Sequence, residues 1–137
     1  MTVFPLSPVH WQFRDATRRG SWRPAVVPGC VHRDLLRNRL IPDPFLGVNE
    51  RELQWIEERD WEYRARFDAP AGLLAERRVE LVADGLDTVA TVRLNGRVVA
   101  RTENMFLGRR WNVKRGLRPR GNELRIRFES AMGYIRT

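Results

Sequence analysis

The sequence is poor in residues that often carry chemistry. It has one cysteine, Cys30, and two histidines, His10 and His32, among 137 residues. A single cysteine excludes an internal disulfide and is typical of proteins from a reducing compartment. The two histidines lie far apart in sequence, and neither stands at a spacing typical of zinc ligands. We therefore expect no disulfide and no metal site.

Long apolar runs are also missing. No stretch reaches the roughly 20 apolar residues that a membrane-spanning helix needs, and the N-terminus lacks the basic-then-apolar order of a signal peptide. The sequence has no glycine-rich phosphate loop, and Ser7, Ser21 and Ser130 stand outside any nucleophile motif. These absences predict a cytoplasmic protein with no membrane partner and no cofactor.

Lysine is almost absent as well, since Lys114 is the only lysine among 25 basic residues, and the formal net charge is +8. An arginine-rich, basic chain can indicate nucleic-acid binding. Here, however, Arg64 and Arg66 alternate with aromatic residues, and Arg125 and Arg127 alternate with apolar ones, as on the solvent faces of strands. Because no nucleic-acid-binding motif accompanies the charge, we predict no nucleic-acid partner.

The clearest positive signal lies within residues 79–96, which hold two runs of strand-forming residues separated by an Asp-Gly turn signal. In the second run, residues 90–94, apolar side chains take every other position, which predicts a strand with one buried and one wet face. Asn95 and Gly96 then supply a favoured two-residue hairpin turn. We interpret this stretch as the hairpin around which the other strands are arranged.

The remaining segments predict further short strands and two small helices in the N-terminal half of the chain. Strands or extended segments are expected at residues 9–14, 22–27, 60–67, 98 onward, 110–113 and 122–129, helices at residues 30–37 and 50–58, and a turn at residues 70–74. Short strands punctuated by turns are typical of antiparallel β-sandwiches. The sequence therefore predicts a single all-β sandwich domain over residues 1–137, with one or two short N-terminal helices.

Two groups of polar residues are candidates for chemistry. Asp84 and Asp87 form a pair of carboxylates, which is what a glycosidase needs. They flank a turn, so hydrogen bonding to the turn backbone is the simpler interpretation. Asn49 is a candidate helix N-cap with Glu52 three residues later, as in a capping box. The residue types themselves therefore indicate no catalytic site.

Five tryptophans offer flat aromatic faces of the kind that stack on sugars. Trp11, Trp61 and Trp111 follow strand patterns, which favours a place in the core. Trp22 and Trp55 lie in or beside loops and are the candidates for exposure, although large aromatic side chains are commonly buried. Sugar stacking therefore rests on Trp22 and Trp55.

Three blocks of the sequence together resemble one family. The blocks are VPGCVH at residues 27–32 with DLL at 34–36, LIPDPF at 40–45 and NE at 49–50; LQWI at 53–56 with DWEYR at 60–64; and DGLDTVA at 84–90 with LNG at 94–96 and NMF at 104–106. The combination is similar to the N-terminal sugar-binding domain of the β-mannosidases in glycoside hydrolase family 2. Exo-β-glucosaminidase, β-galactosidase and β-glucuronidase of the same family are the alternatives.

The resemblance implies a jelly-roll sandwich of the galactose-binding type, serving as accessory domain of a retaining exo-β-glycosidase that acts on terminal, non-reducing β-D-mannose. The catalytic glutamates of such enzymes lie on a (β/α)₈ barrel of about 250 residues. We therefore expect a longer protein, with the barrel as this domain's partner and no catalytic residue here. Asn49 and Glu50, together with Trp55, are the candidate substrate-binding residues.

Two other interpretations stay open. A self-standing carbohydrate-binding module would present exposed tryptophans on a sheet face or in a loop cleft. A purely structural domain would self-associate through an uncovered sheet edge or apolar patch.

Overall fold

The computed structural model describes residues 3–6, 8–27, 31–41, 55–56, 58–83, 89–103 and 109–130. Short strands dominate these ranges. The strands are β1 Trp11–Asp15, β2 Arg23–Ala25, β3 Trp61–Phe67, β4 Glu80–Ala83, β5 Ala90–Leu94, β6 Arg97–Thr102, β7 Arg109–Asn112 and β8 Asn122–Phe128. The helices are α1 Val31–Arg37, α2 Ala71–Ala75 and one 3₁₀ turn, Lys114–Gly116.

Six of the strands form one antiparallel sheet in the order β2-β1-β3-β8-β5-β6, and β4 pairs with β7 in a second, two-stranded sheet. The two sheets pack on each other, because Leu81 of β4 and Trp111 of β7 contact the core on the inner face of the larger sheet. The predicted antiparallel β-sandwich is thus confirmed. Within the described residues no helix is long and apolar enough to cross a membrane.

Most of the predicted elements lie where the sequence patterns indicate. The predicted helix at residues 30–37 is α1, and the extended segment at 22–27 contains β2. The second predicted helix, residues 50–58, falls largely outside the described residues. At its end the Glu58 N–H donates to the Trp55 carbonyl at 3.2 Å, as in a tight turn.

One prediction is wrong. A turn is expected at residues 70–74, but residues 71–74 belong to helix α2 and Pro70 is its N-cap. The N–H groups of Leu73 and Leu74 donate to the Pro70 carbonyl at 3.0 and 3.1 Å. Proline suits a helix start because its missing donor is not needed there, and alanine and leucine are strong helix formers. The predicted hairpin is confirmed, since β5 pairs with β6 across the Asn95–Gly96 turn. The earlier strand-forming run, β4, lies in the other sheet, where it pairs with β7.

The inner face of the large sheet is an aromatic layer. Phe13, which is 1% exposed, stacks on Tyr63 with ring centroids 5.8 Å apart and lies 6.2 Å from Trp61. Phe128 meets Tyr63 edge-on at 5.8 Å. Aromatic pairs in these geometries add to the stabilisation from area burial alone, so the layer fixes how β1, β3 and β8 align.

Strand β5 shows the predicted alternation on its inner face, where Ala90, Val92 and Leu94 are buried. The outer face is less wet than predicted, because Thr91 is also buried. The Arg101 guanidinium donates to Thr91 Oγ1 at 3.3 Å, and arginine stems of this kind cover neighbouring side chains while their charged ends reach water.

The β5–β6 turn is locked to strand β8 by one asparagine side chain. Asn95 and Gly96 have φ angles of 52° and 84°, as the predicted hairpin turn requires. Asn95 Oδ1 accepts the Glu123 N–H at 2.8 Å, while its Nδ2 donates to the Gly116 carbonyl at 2.7 Å and to Asn122 Oδ1 at 3.0 Å. The Leu-Asn-Gly motif therefore supplies both the turn and its attachment to β8.

A buried carboxylate attaches helix α1 to the large sheet. Asp34 is fully buried, and its oxygens accept the Tyr63 hydroxyl at 2.6 Å, the Val26 N–H at 3.0 Å and the Arg37 guanidinium at 3.1 Å. Burial of a charge is costly unless it is paired and hydrogen-bonded. The three donors meet this need, and they come from the end of β2, from α1 and from β3.

The only lysine of the sequence closes a helix end. The Lys114 ammonium donates to the carbonyl of Leu74 in α2, where a cation suits the partial negative charge of a helix C-terminus. This contact joins the segment after β7 to the segment before β4.

Replacing Asp34 with alanine should lower the free energy of unfolding by about 2–4 kcal/mol, because it leaves buried donors without acceptors. Asp68→Ala is the matched control, since Asp68 is exposed and, among the described residues, accepts the Gly121 N–H at 2.8 Å; it should cost less than about 1 kcal/mol. Urea unfolding of both variants is the measurement. Equal losses would show that Asp34 has no special role.

Replacing Asn95 with alanine should cost about 2–3 kcal/mol, because it combines lost hydrogen bonds with positive-φ strain. Gly96→Ala isolates the backbone part, since a Cβ at Gly96 meets nothing within 4 Å, and we expect a loss of about 1 kcal/mol. Thermal unfolding compares the two. A smaller loss in the Asn95 variant than in the Gly96 variant would contradict the attachment to β8.

Candidate functional site

A pocket of about 250 Å³ lies at the end of the large sheet where β1 finishes and β3 begins. It has aromatic and polar walls. The lining residues are Phe13, Arg14, Asp15, Gly20, Ser21, Arg23, Leu35, Leu40, Trp55, Arg59 and Trp61. Aromatic surfaces combined with a few fixed polar groups are characteristic of small-ligand sites, so this pocket is the candidate site.

The polar part of the pocket is an ion pair stacked on an indole. Arg59 Nη1 donates to Asp15 Oδ2 at 2.7 Å, and the Arg59 guanidinium carbon lies 4.5 Å from the centre of the Trp55 ring. Trp55 in turn packs on Trp61 with ring centroids 6.0 Å apart. The two side chains of the pair are 21% and 13% exposed, so the pair is screened only in part and its geometry is fixed.

Asp15 is held in place by the turn that follows β1. Its Oδ1 accepts the N–H groups of Thr17 and Arg18 at 3.0 and 3.1 Å, an arrangement by which aspartate favours turns. Arg19 then takes a positive φ of 51°, and the chain returns toward β2. The Asp60 N–H donates to Thr17 Oγ1 at 2.7 Å, which ties this turn to the start of β3.

This arrangement is suited to binding a ligand and is poorly suited to breaking its bonds. Both oxygens of Asp15 already accept hydrogen bonds, and the guanidinium of Arg59 has donors but no acceptor. The N–H groups that a guanidinium does not use in an ion pair are suited to sugar hydroxyl groups, and an open indole face is suited to a sugar ring. Within the ranges that the structure covers, no cluster of three or more His, Cys, Asp or Glu could hold a metal ion.

The structure places one of the three predicted binding residues in this pocket. Trp55 is half-buried and forms part of the wall, whereas Asn49 and Glu50 lie outside the described residues and stay predictions. The acidic pair Asp84 and Asp87 also lies outside them.

Sequence reasoning missed the ion pair of the pocket, Asp15 and Arg59. Asp15 had a weak signal, because it follows a strand and precedes a threonine in a turn. Arg59 had none, since its partner is 44 positions away in the chain.

Trp22, the other candidate for an exposed tryptophan, is half-buried. The guanidinium carbons of Arg64, Arg14 and Arg125 lie 4.1, 4.6 and 5.3 Å from its ring centre. A tryptophan ring attracts such cations electrostatically. Trp22 therefore marks a second polar region on the outer face of the sheet.

Comparison with known proteins identifies relatives of this chain. The family described as glycosyl hydrolase 2 galactose-binding domain-like matches residues 11–137. Beta-mannosidase B from Aspergillus fumigatus is 44% identical over 132 residues, and beta-mannosidase B from Thermothelomyces thermophilus is 46% identical over 136 residues. These matches cover 93% and 98% of this chain and 15% of each relative.

Solved structures of related proteins also resemble this chain. A beta-D-mannosidase from Dictyoglomus thermophilum has a TM-score of 0.87 and 42% identity, over 93% of this chain and 16% of that one. A beta-glucuronidase from Ruminococcus gnavus has a TM-score of 0.66 and 15% identity, over 88% of this chain and 20% of that one; this likeness shows the fold alone. The chain spans about 15% of the length of the curated relatives that it matches.

The Asp15–Arg59 pair can be tested by a double-mutant cycle with Asp15→Ala and Arg59→Ala. We expect a coupling energy of about 1–2 kcal/mol in unfolding measurements, because the two residues share one partly buried contact. The pair Arg78–Glu80 is the matched control, since its side chains are 66% and 30% exposed; its coupling should be below about 0.5 kcal/mol. Additive losses at Asp15 and Arg59 would refute the fixed pair.

Proposed function

The chain belongs to the glycosyl hydrolase 2 galactose-binding domain-like family, and from this premise we propose that it serves as the N-terminal accessory domain of a longer, retaining β-mannosidase. The substrate of that enzyme is a terminal, non-reducing β-linked mannose. The domain itself contributes part of the wall around the sugar and leaves bond cleavage to a separate barrel domain.

The observation that supports β-mannosidase most directly is the contrast in identity among relatives of the same fold. Proteins named as β-mannosidases share 39–46% of aligned residues with this chain. Structures of β-glucuronidases and β-galacturonidases share 15–19%. The fold is common to all of them, so the higher identity is what favours the mannosidase over the other enzymes of the family.

The carboxylates of the described residues support a non-catalytic role. Asp15, Asp34 and Asp60 each accept both a backbone N–H and an arginine guanidinium. Glu62 is 5% exposed and pairs with Arg14. Oxygens that are occupied in this way are poorly placed to attack a sugar carbon or to protonate a leaving group.

In the proposed enzyme the chemistry belongs to two carboxylates on the barrel. Retaining glycosidases hold these groups about 5–5.5 Å apart, one as nucleophile and one as acid and then base. The role of the accessory domain is positional, because a wall that excludes water and fixes the sugar raises the effectiveness of both groups. Asn49 and Glu50, with Trp55 in the pocket, are the residues proposed to face the sugar.

A longer protein that carries this domain should hydrolyse nitrophenyl β-D-mannoside in preference to the matching glucoside, galactoside and glucuronide. Steady-state kinetics on the four substrates measure the preference as ratios of kcat/KM. A clear preference for one of the other three sugars would reject the mannosidase assignment.

The purified 137-residue chain is the control for that experiment. It should hydrolyse none of the four substrates, and calorimetric titration with mannose and manno-oligosaccharides should give no measurable binding. Turnover would contradict the accessory role, and binding would favour a self-standing carbohydrate-binding module.

A further inference from the structure

The outer face of the six-stranded sheet carries three arginines in one row. Arg64 of β3 lies opposite Arg125 of β8, and Arg125 lies opposite Arg93 of β5. Neighbouring strands are about 4.8 Å apart, so the row crosses three strands within about 10 Å. Like charges that stand directly opposite each other in a sheet are destabilising. The row is therefore a concentration of positive charge that the fold itself does not require.

Within the part of the chain that the structure describes, carboxylates form ion pairs only with the middle of this row. Arg125 pairs with Glu123 at 2.9 Å and lies 4.0 Å from Glu62. Arg64 donates to the neutral amide of Gln12 at 2.8 Å. Among the described residues, neither Arg64 nor Arg93 forms an ion pair. The two ends of the row thus have no directly paired carboxylate among the described residues.

Burial and crowding of cations both act on Arg64. Desolvation, and then the neighbouring Arg66, lower the pKa of the Arg64 guanidinium below its ordinary value, although Glu123 opposes the shift. Arg125 and Arg14 act in the same direction as Arg66. An arginine still keeps its proton at neutral pH. The crowded guanidinium groups therefore repel one another, and an added anion would relieve this repulsion.

Trp22 holds this charge in place while leaving donors available. Its ring lies closest to Arg64 and also contacts Arg14 and Arg125. A guanidinium that stacks on an aromatic ring keeps its N–H edge free for hydrogen bonds. In addition, Arg125 Nε is buried and has no hydrogen-bond acceptor among the described residues. The face therefore offers fixed donors in excess of its acceptors.

These features identify the chemistry of the partner. Guanidinium groups bind carboxylates with two parallel hydrogen bonds, and a row across three strands is wider than a single small ion. A surface with several carboxylates matches both the charge and the extent of the row. We propose that the row Arg64, Arg125 and Arg93, with Trp22, is the docking surface for an acidic, carboxylate-rich polypeptide surface.

The partner is the surface of a neighbouring domain in the longer protein, and this identification rests on the proposed function. The relatives are long enough to contain such domains, since this chain spans about 15% of their length. The binding chemistry of the face is independent of that identification, so it can be tested on the chain alone and can fail separately.

The test titrates the 137-residue chain with poly-L-glutamate at low ionic strength, by calorimetry. The variant carrying Arg64→Gln and Arg93→Gln should bind about tenfold more weakly than the unchanged chain. The matched control carries Arg77→Gln and Arg110→Gln, two exposed arginines away from this face, and should bind within about twofold of the unchanged chain. Equal losses in both variants would reduce the effect to net charge and overturn the proposal.

Two further measurements separate a docking surface from a structural role and from nucleic-acid binding. The melting temperature of the Arg64→Gln, Arg93→Gln variant should be equal or higher, because repulsion is relieved; a clear fall would assign both arginines a structural role and overturn the proposal. Single-stranded oligothymidylate is the competing probe. Tighter binding of that probe than of poly-L-glutamate, lost in the same variant, would assign the face to nucleic acid and also overturn the proposal.

Discussion

The need to satisfy one buried negative charge governs how this domain is assembled. Asp34 lies with no exposed surface at the junction of β2, α1 and β3, and each of these segments supplies a donor to it. An unpaired charge in this position would be prohibitively costly, so the three segments have to arrive together. The next residue in the helix, Leu35, is part of the pocket wall. The position of Leu35, and with it the shape of the candidate site, therefore depends on the buried hydrogen bonds of Asp34.

The two faces of the large sheet are stabilised by different kinds of interaction. The inner face is held by area burial and ring packing, which depend little on salt. The outer face is a lattice of guanidinium groups and carboxylates, including Arg14–Glu62 at 2.8 Å and Arg127–Asp60 at 2.8 Å. Partly exposed pairs of this kind contribute modestly to stability and weaken as salt rises. The salt-dependent contacts thus lie mainly on the outer face, whereas most of the stabilisation comes from the inner face.

The structural features that could be predicted from the sequence are those that depend on residues close together in the chain. Alternation along β5 and the Asn95–Gly96 turn are local patterns, and both predictions are confirmed. Helix α2 escapes prediction because a proline followed by small and aliphatic residues suits a turn as well as a short helix. The pair Asp15–Arg59 joins residues 44 positions apart, and no local pattern encodes such a contact. Asn49 and Glu50 rest on resemblance, which reflects what relatives share and gives no geometry.

The near absence of lysine has a practical consequence for handling the molecule. The side chain of Lys114 stands just after β7, in the layer that packs on the inner face of the large sheet. It is the only primary amine among the side chains of the sequence. Amine-directed coupling at alkaline pH, to a dye or a resin, can therefore modify one side chain besides the chain terminus. Because that amine donates to the Leu74 carbonyl, coupling there would also remove the cation from the end of α2.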